Sequence, residues 1–187
     1  MKIRLKLDKE FHLIDPIFFK KRSRYFFQSL IASIALLLVL IIGDNFAQGA
    51  IIAGIAGTTA LISFAPHSYA ANTRRVVGGH LLSIIVGSLS IFLLSLFSID
   101  YSSASEFTIY LNSSICIGIL IILMGILNCE HAPAAGCLLG LTYGGVDLNS
   151  VAFIFSSAIV LSLIRILLLK WIKNLSLIHI SEPTRPY

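Results

Sequence analysis

Hydrophobic residues fall into six stretches along this chain, separated by short polar segments. The stretches cover residues 25–42, 47–65, 76–97, 107–128, 132–145 and 148–169. A helix needs about 20 apolar residues to cross the hydrocarbon core of a bilayer, and five of the stretches meet or approach that length. The pattern predicts an all-α fold, a polytopic transmembrane helix bundle with about six membrane segments.

The fifth stretch, residues 132–145, is shorter than the others and reaches only about 21 Å as a helix. Extending it back through Asn128, Glu130 and His131 would complete a crossing but would put polar groups at membrane depth. Such groups are tolerated there only inside the protein or beside a water-filled cavity. We therefore expect this segment to lie in the interior of the bundle.

The composition excludes a soluble protein. Hydrophobic residues make up 57% of the chain and charged residues only 12%, whereas soluble domains carry roughly 25% charged residues. The net charge of +5 would suggest nucleic acid in a soluble protein, but here the basic residues flank the apolar stretches, so no nucleic-acid partner is expected. Three scattered cysteines do not form a disulfide framework.

The charged residues predict an orientation. Basic residues precede the first stretch, follow the second at Arg74 and Arg75, and close the sixth. Six crossings place all of them on one side and Glu106 and Asp147 on the other. Because cytoplasmic loops are enriched in Lys and Arg, we predict a multi-pass protein of the cell (inner) membrane with a cytoplasmic N-terminus.

Three regions are predicted along the chain. Residues 1–24 form a basic leader, expected to lie along the cytoplasmic interface and to be retained as a signal-anchor. Residues 25–174 form the transmembrane domain. In residues 175–187 the run LSLIHISEPTR resembles a translated sequencing adapter. We expect this tail to be a sequencing-adapter artefact, the alternative being a natural polar tail.

The six stretches can be divided into two sets of three, each with a short, Gly-rich middle member. Ala56-Gly57-Thr58 and Ala135-Gly136-Cys137 occupy comparable places in the two sets. Three crossings per set would invert the second set, and such 3+3 inverted repeats are typical of transporters. We expect the amide-rich starts of segments 2 and 5 to face one interior pocket. The alternative is that these glycines only allow close helix packing.

The first candidate site follows the second stretch, where Pro66 ends the helix. Thr73 is positioned to cap the next helix. Arg74, Arg75 and His80 surround that helix start, and fixed cations at the positive end of a helix dipole suit an anion. The alternative is that the arginines bind lipid phosphates and His80 is a hydrogen-bonded core residue.

The second candidate site is the segment 128–136. Pro133 suits the first turn of a short helix, and His131 just before it is suited to donate a hydrogen bond, balance an anion or relay a proton. Cys129, His131 and Cys137 lack ordinary zinc spacing, so neither metal nor cofactor is expected. Glu130 and His131 are the single adjacent acid–base pair, which does not suggest an enzyme.

Both sites resemble the HPP family of integral membrane proteins. The run PHSYAANTRRVVGGHLLS is similar to the family's loop and Gly-Gly-His-Leu-Leu-Ser pattern, and the His-Pro-Pro motif appears as His131-Ala132-Pro133. The chain departs from the pattern at Ala132, Thr73 and Arg75. The resemblance implies a multi-spanning membrane domain, nitrite transport in some plastid and cyanobacterial members, and CBS domains in some bacterial ones.

Together, these patterns predict a transporter or channel for a small inorganic, nitrite-like anion within the lipid bilayer. The residues expected along its path are His131, His80, Arg74, Pro133, Gly136, Gly57 and Ser68. The alternative is a non-transporting scaffold or sensor module. Whether the chain forms a homo-oligomer is open at this stage.

Overall fold

Helices account for the regular structure of the part of the chain that the computed structural model describes, residues 16–43, 49–97, 99, 101–173 and 175. Two single 3-10 turns lie at Tyr69–Ala71 and Tyr101–Ser103. The α-helices are α1 Pro16–Gly43, α2 Gly49–Phe64, α3 Thr73–Leu96, α4 Glu106–Ile126, α5 Ala134–Gly144 and α6 Leu148–Leu168. The predicted all-α, polytopic bundle is confirmed.

Four of the helices are long and apolar enough to cross a membrane, namely α1 over Arg22–Ile41, α3, α4 and α6. Helices α2 and α5 are shorter, with 16 and 11 residues. At 1.5 Å per residue, α5 reaches only about 16 Å. Helix α5, which follows the segment 127–133, is therefore too short to cross the hydrocarbon core by itself.

The first helix starts earlier than the hydrophobic pattern predicts. It begins at Pro16 rather than at Tyr25, because the basic residues before Tyr25 continue the helix beyond its apolar part. Proline is well suited to a first helical position, where its missing N–H costs nothing. Residues 16–24 thus extend α1, while residues 1–15 of the predicted leader lie outside the described residues.

The predicted tail begins at Leu175, which the structure includes. Its amide donates to the Phe64 carbonyl oxygen at 2.9 Å, and its own carbonyl oxygen accepts from the Tyr25 hydroxyl at 3.0 Å. Residues 176–187 lie outside the described residues, so the assignment of the tail stays a prediction.

Asn72, rather than Thr73, caps α3. Its backbone is extended, with φ −62° and ψ 138°, and its side chain accepts a hydrogen bond from the Arg74 amide. Thr73 is therefore the first helical residue and not the cap, which corrects the prediction. Ser105 and Asp147 cap α4 and α6 in the same way, each accepting from an amide three residues later.

Alternating helix directions bring one set of helix ends together. The end of α2 contacts the end of α6, since Arg165 donates to the Pro66 carbonyl oxygen at 2.7 Å. The end of α4 contacts the start of α3 through Arg74 and the Leu127 carbonyl oxygen. We call this the basic end of the bundle, because it carries Arg74, Arg75, Arg165, Lys170 and Lys173.

The opposite end of the bundle joins the start of α4 to the end of α5. Tyr110 and Tyr143 stack with ring centroids 5.9 Å apart, and the Ser113 hydroxyl donates to Thr142 at 2.9 Å. Glu106 and Asp147 lie at this end, which we call the acidic end. The separation of charges matches the six predicted crossings, while the side of the membrane that each end faces stays a prediction.

The helices pack as two inverted halves, α1–α3 and α4–α6. The contact between α1 and α2 in the first half corresponds to the contact between α4 and α5 in the second. In the same way, the α2–α6 contact corresponds to the α5–α3 contact, and the α1–α6 contact corresponds to the α4–α3 contact. The remaining pairs, α2 with α5 and α3 with α6, map onto themselves. This arrangement supports the 3+3 inverted repeat expected from the sequence.

Glycines let α2 and α5 pack closely and antiparallel at the centre. A Cβ atom on Gly57 would lie 3.4 Å from Pro133 Cβ, and one on Gly136 would lie 3.0 Å from Gly54 Cα. When the two halves are aligned so that Gly57 matches Gly136, Gly54 matches Pro133. The contact between Gly57 and Pro133 in one half therefore corresponds to the contact between Gly136 and Gly54 in the other. The inverted symmetry therefore extends to individual residues.

Candidate functional site

A fully buried polar cluster lies beside the contact between α2 and α5. It consists of Thr58 on α2, His80 on α3 and His131 in the segment before α5, each with 0% exposure. Thr58 Oγ1 lies 2.9 Å from His131 Nε2 and 3.3 Å from His80 Nε2. The structure thus brings together the two predicted histidines, from different halves of the chain, around a hydroxyl that the sequence analysis did not single out.

Backbone carbonyl groups hold both imidazole rings. His80 Nδ1 lies 2.8 Å from the Val76 carbonyl oxygen, and His131 Nδ1 lies 3.0 Å from the Ala70 carbonyl oxygen. A carbonyl oxygen only accepts hydrogen bonds, so each Nδ1 carries a proton and donates. Both Nε2 atoms are thereby turned towards Thr58.

Two consecutive glycines make room for the segment that carries His131. A Cβ atom on Gly79 would lie 2.7 Å from His131 Cβ, and one on Gly78 would lie 3.0 Å from Cys129 Cβ. Any larger residue at Gly79 would push His131 away from α3. The Gly-Gly-His run therefore places His80 and the backbone around His131 within reach of one another.

A charged contact covers the cluster towards the basic end. Arg75, only 3% exposed, donates to Glu130 Oε2 at 2.7 Å and also to Asn128 Oδ1. Its guanidinium group lies 3.1 Å from the centroid of the Tyr69 ring. We call Arg75, Glu130, Asn128 and Tyr69 the latch, because they join the α2–α3 loop and the start of α3 to the α4–α5 segment.

The two neighbouring arginines have different positions. Arg74, which the sequence analysis placed on the path, is exposed and donates to the Leu127 carbonyl oxygen at 3.3 Å. Arg75 is the buried one.

The remaining predicted path residues lie around the cluster. Pro133 is half-buried and packs on Gly57, while Gly136 packs on Gly54. Ser68 Oγ, in the α2–α3 loop, is buried and has no hydrogen-bond partner within the described part of the chain.

The expected pair of amide-rich helix starts is not found. Helices α2 and α5 are antiparallel, so α2 begins at the acidic end and α5 at the basic end, and the two starts do not face one pocket. Gly57 lies within α2, and the Gly136 amide donates to the Pro133 carbonyl oxygen at 3.0 Å. Side chains, rather than free amides, supply the polar groups of the site.

Comparison with known protein families gives a match that spans most of the chain. The family described as HPP, transmembrane region, matches residues 19–179. The chain belongs to the HPP transmembrane family. Comparisons with curated proteins and with solved structures gave no match. In this HPP domain, the Gly-Gly-His run and the His-Ala-Pro segment meet at Thr58.

Proposed function

We propose that this HPP domain moves a small inorganic, nitrite-like anion across the cell membrane, as a transporter or channel. The observation that carries the proposal is the buried cluster of Thr58, His80 and His131 between the two inverted halves. Ionisable residues inside a membrane bundle are costly and characteristically belong to a substrate or proton path. Imidazole and hydroxyl groups are also suited to bind the oxygens of such an anion.

The basic end provides an attractive entrance for an anion. Arg74, Lys170 and Lys173 are exposed there, and exposed cations raise the local concentration of anions. By the positive-inside rule this entrance faces the cytoplasm. The latch lies between the entrance and the cluster, so we infer that it opens when an anion passes.

The inverted halves favour transport over the alternative of a passive scaffold. In transporters with inverted repeats, one half rocks against the other around a central site. Here the central contact is formed by glycines of α2 and α5, which present little side-chain obstruction to such movement. A scaffold would have no need of buried histidines at that contact.

The test is nitrite uptake into liposomes that contain the purified chain. We expect uptake above that of empty liposomes, and about a tenfold or larger loss for His131→Ala, because a hydrogen bond to a charged ligand is worth about 1.5–3 kcal/mol. His67→Ala is the matched control, since His67 is exposed at the basic end and bonds the Ile172 carbonyl oxygen instead. Uptake equal to that of empty liposomes for nitrite, nitrate and chloride would contradict transport and favour the scaffold.

A further inference from the structure

We propose that Thr58, His80 and His131 form a proton-binding site in which one added proton is shared through the Thr58 hydroxyl. The coupling of this proton to anion movement rests on the proposed function, whereas proton binding itself does not. Notably, the three groups come from α2, α3 and the α4–α5 segment, so the site exists only in the folded bundle.

The hydrogen-bond acceptors around Thr58 outnumber the donors. Both Nδ1 protons are used on the carbonyl groups of Val76 and Ala70, which leaves both Nε2 atoms with lone pairs. Thr58 Oγ1 faces these two lone pairs and also the Gly54 carbonyl oxygen at 3.2 Å. The hydroxyl has a single proton, so it satisfies one of its three acceptors. The neutral cluster is therefore short of hydrogen-bond donors.

One additional proton removes the shortage around the hydroxyl. When it binds to Nε2 of one histidine, a new N–H bond forms, and that N–H donates to a lone pair of Thr58 Oγ1. The Thr58 proton then donates to Nε2 of the other histidine. Proton transfer along these two hydrogen bonds moves the charge to the second ring. In either state the hydroxyl accepts a hydrogen bond from the protonated ring and donates one to the neutral ring.

Charge compensation links this proton to an anion. A positive charge buried without a partner is unfavourable, and the nearest carboxylate along the chain, Glu130, is already paired with Arg75. Helix α2 has no titratable side chain. The other titratable or charged groups on the elements packed around the cluster are His67 and Tyr69 in the α2–α3 loop, Arg74 on α3, Cys129 in the α4–α5 segment, Cys137 and Tyr143 on α5, Glu106, Tyr110 and Cys116 on α4, and Arg165 on α6.

None of those groups is a free carboxylate at the basic end, within the described part of the chain. An anion entering beside His131 would therefore supply the missing negative charge. By linkage, the anion raises the affinity for the proton and the proton raises the affinity for the anion by the same factor. The expected result is the uptake of one proton with each anion.

The proton site is tested without any transport measurement. Nitrogen-15 NMR of the labelled imidazoles in nanodiscs, over a range of pH, reports the protonation of each ring. We expect the pair His80 and His131 to take up one proton, and Thr58→Val to move this uptake to lower pH while Thr58→Ser leaves it in place, because the hydroxyl oxygen accepts from the protonated ring. Thr59→Val is the matched control, because the neighbouring Thr59 hydroxyl bonds only its own helix, at the Ile55 carbonyl oxygen.

Proton uptake that occurs at the same pH in Thr58→Val and in the unchanged chain would overturn the proton site. Coupling to the anion is tested in proteoliposomes held at zero membrane potential. An inward gradient of one pH unit drives about tenfold accumulation of the anion in a one-to-one symport. Empty liposomes measured in parallel correct for the leak of nitrous acid.

The two proposals fail in distinguishable ways. Nitrite uptake that ignores the pH gradient would overturn the coupling and leave transport intact. The absence of any anion uptake would overturn the proposed function, whereas the NMR titration would still decide the proton site.

Discussion

Gly54 occupies a position where no side chain fits. A Cβ atom there would lie 2.7 Å from the Cys137 amide nitrogen and 2.9 Å from the Pro133 carbonyl oxygen, both of them backbone atoms. Because backbone cannot move aside as a flexible side chain can, α2 and α5 would have to separate. We expect Gly54→Ala to destabilise the protein by about 1–3 kcal/mol, as overpacking commonly does, measured by thermal unfolding in detergent.

Gly118→Ala is the matched control for this substitution. Gly118 also lies within a helix, but a Cβ atom there meets nothing within 4 Å. Alanine has the better helix propensity, so this variant should be as stable as the unchanged chain or slightly more so. Equal melting temperatures for both variants would contradict the close contact between α2 and α5.

The histidines of the site could be predicted from the sequence, whereas their partner Thr58 could not. His80 lies inside an apolar stretch and His131 directly before one, where a histidine is conspicuous, but a threonine is common in membrane helices. Its role depends on the depth to which the segment 127–133 enters the bundle, and that depth is set by contacts between distant parts of the chain. The same limit applies to Arg74 and Arg75, because which of two adjacent residues is buried depends on the rotation of α3.

At the scale of elements, the N-terminus of α6 depends on a single side chain. Asp147 accepts from the Ser150 amide at 2.9 Å and from its hydroxyl at 2.5 Å. Replacing such a cap by alanine costs about 1 kcal/mol. We expect Asp147→Ala to lower the melting temperature, while Asp147→Asn, which keeps an accepting oxygen, should retain most of the stability.

The charge of this cap gives the effect a pH dependence. The hydrogen bonds from Ser150 hold the pKa of Asp147 below its ordinary value of 3.8. Because the pKa of Asp147 is lowered in the folded state, the stability that the ionised cap contributes is present above pH 3.8. This contribution is lost as the pH falls through the pKa of the folded state. The difference in stability between the unchanged chain and Asp147→Ala should therefore shrink in acid. A difference that stays constant down to pH 3 would contradict the hydrogen-bonded cap.

The latch depends on the planar guanidinium group of Arg75. This group reaches Glu130 and Asn128 together while it stacks on Tyr69, and a lysine cannot reproduce that geometry. We expect Arg75→Lys to loosen the segment 127–133, so that its amides exchange hydrogen faster by mass spectrometry. Arg74→Lys is the control, because Arg74 makes one exposed contact, to the Leu127 carbonyl oxygen, and this variant should leave the exchange unchanged. Faster exchange in both variants would contradict the different roles of the two arginines.

Most helix limits followed from the sequence, because most helices are little longer than their apolar runs. Helix α6 begins at Leu148 as predicted, and α3 and α4 start close to their first apolar residues. The start of α1 was missed because apolar length marks only the part of a helix that lies in the bilayer. Charged residues such as Arg22 and Arg24 do not end a helix, and α1 runs through them.

At the scale of the whole molecule, the inverted halves are similar in packing and different in chemistry. In the alignment of the two halves that matches Gly57 with Gly136, His80 matches Ile159 and His131 matches Ile52. Cys137 takes the position of Thr58. The polar cluster is therefore single, and it lies off the symmetry axis, towards the basic end. Within the described residues, one chain thus provides one candidate site.

Two cysteine substitutions test the placement of the whole bundle in the membrane. Lys170 is exposed at the basic end and Asn149 is exposed at the acidic end. Both substitutions are made in a chain whose three buried cysteines are replaced by alanine. A membrane-impermeant maleimide should label Asn149→Cys in intact cells. It should label Lys170→Cys only after permeabilisation, because basic loops stay in the cytoplasm. The reverse result would invert the orientation but preserve the six crossings. Labelling of both positions in intact cells would place α6 on one side of the membrane and contradict the transmembrane topology itself.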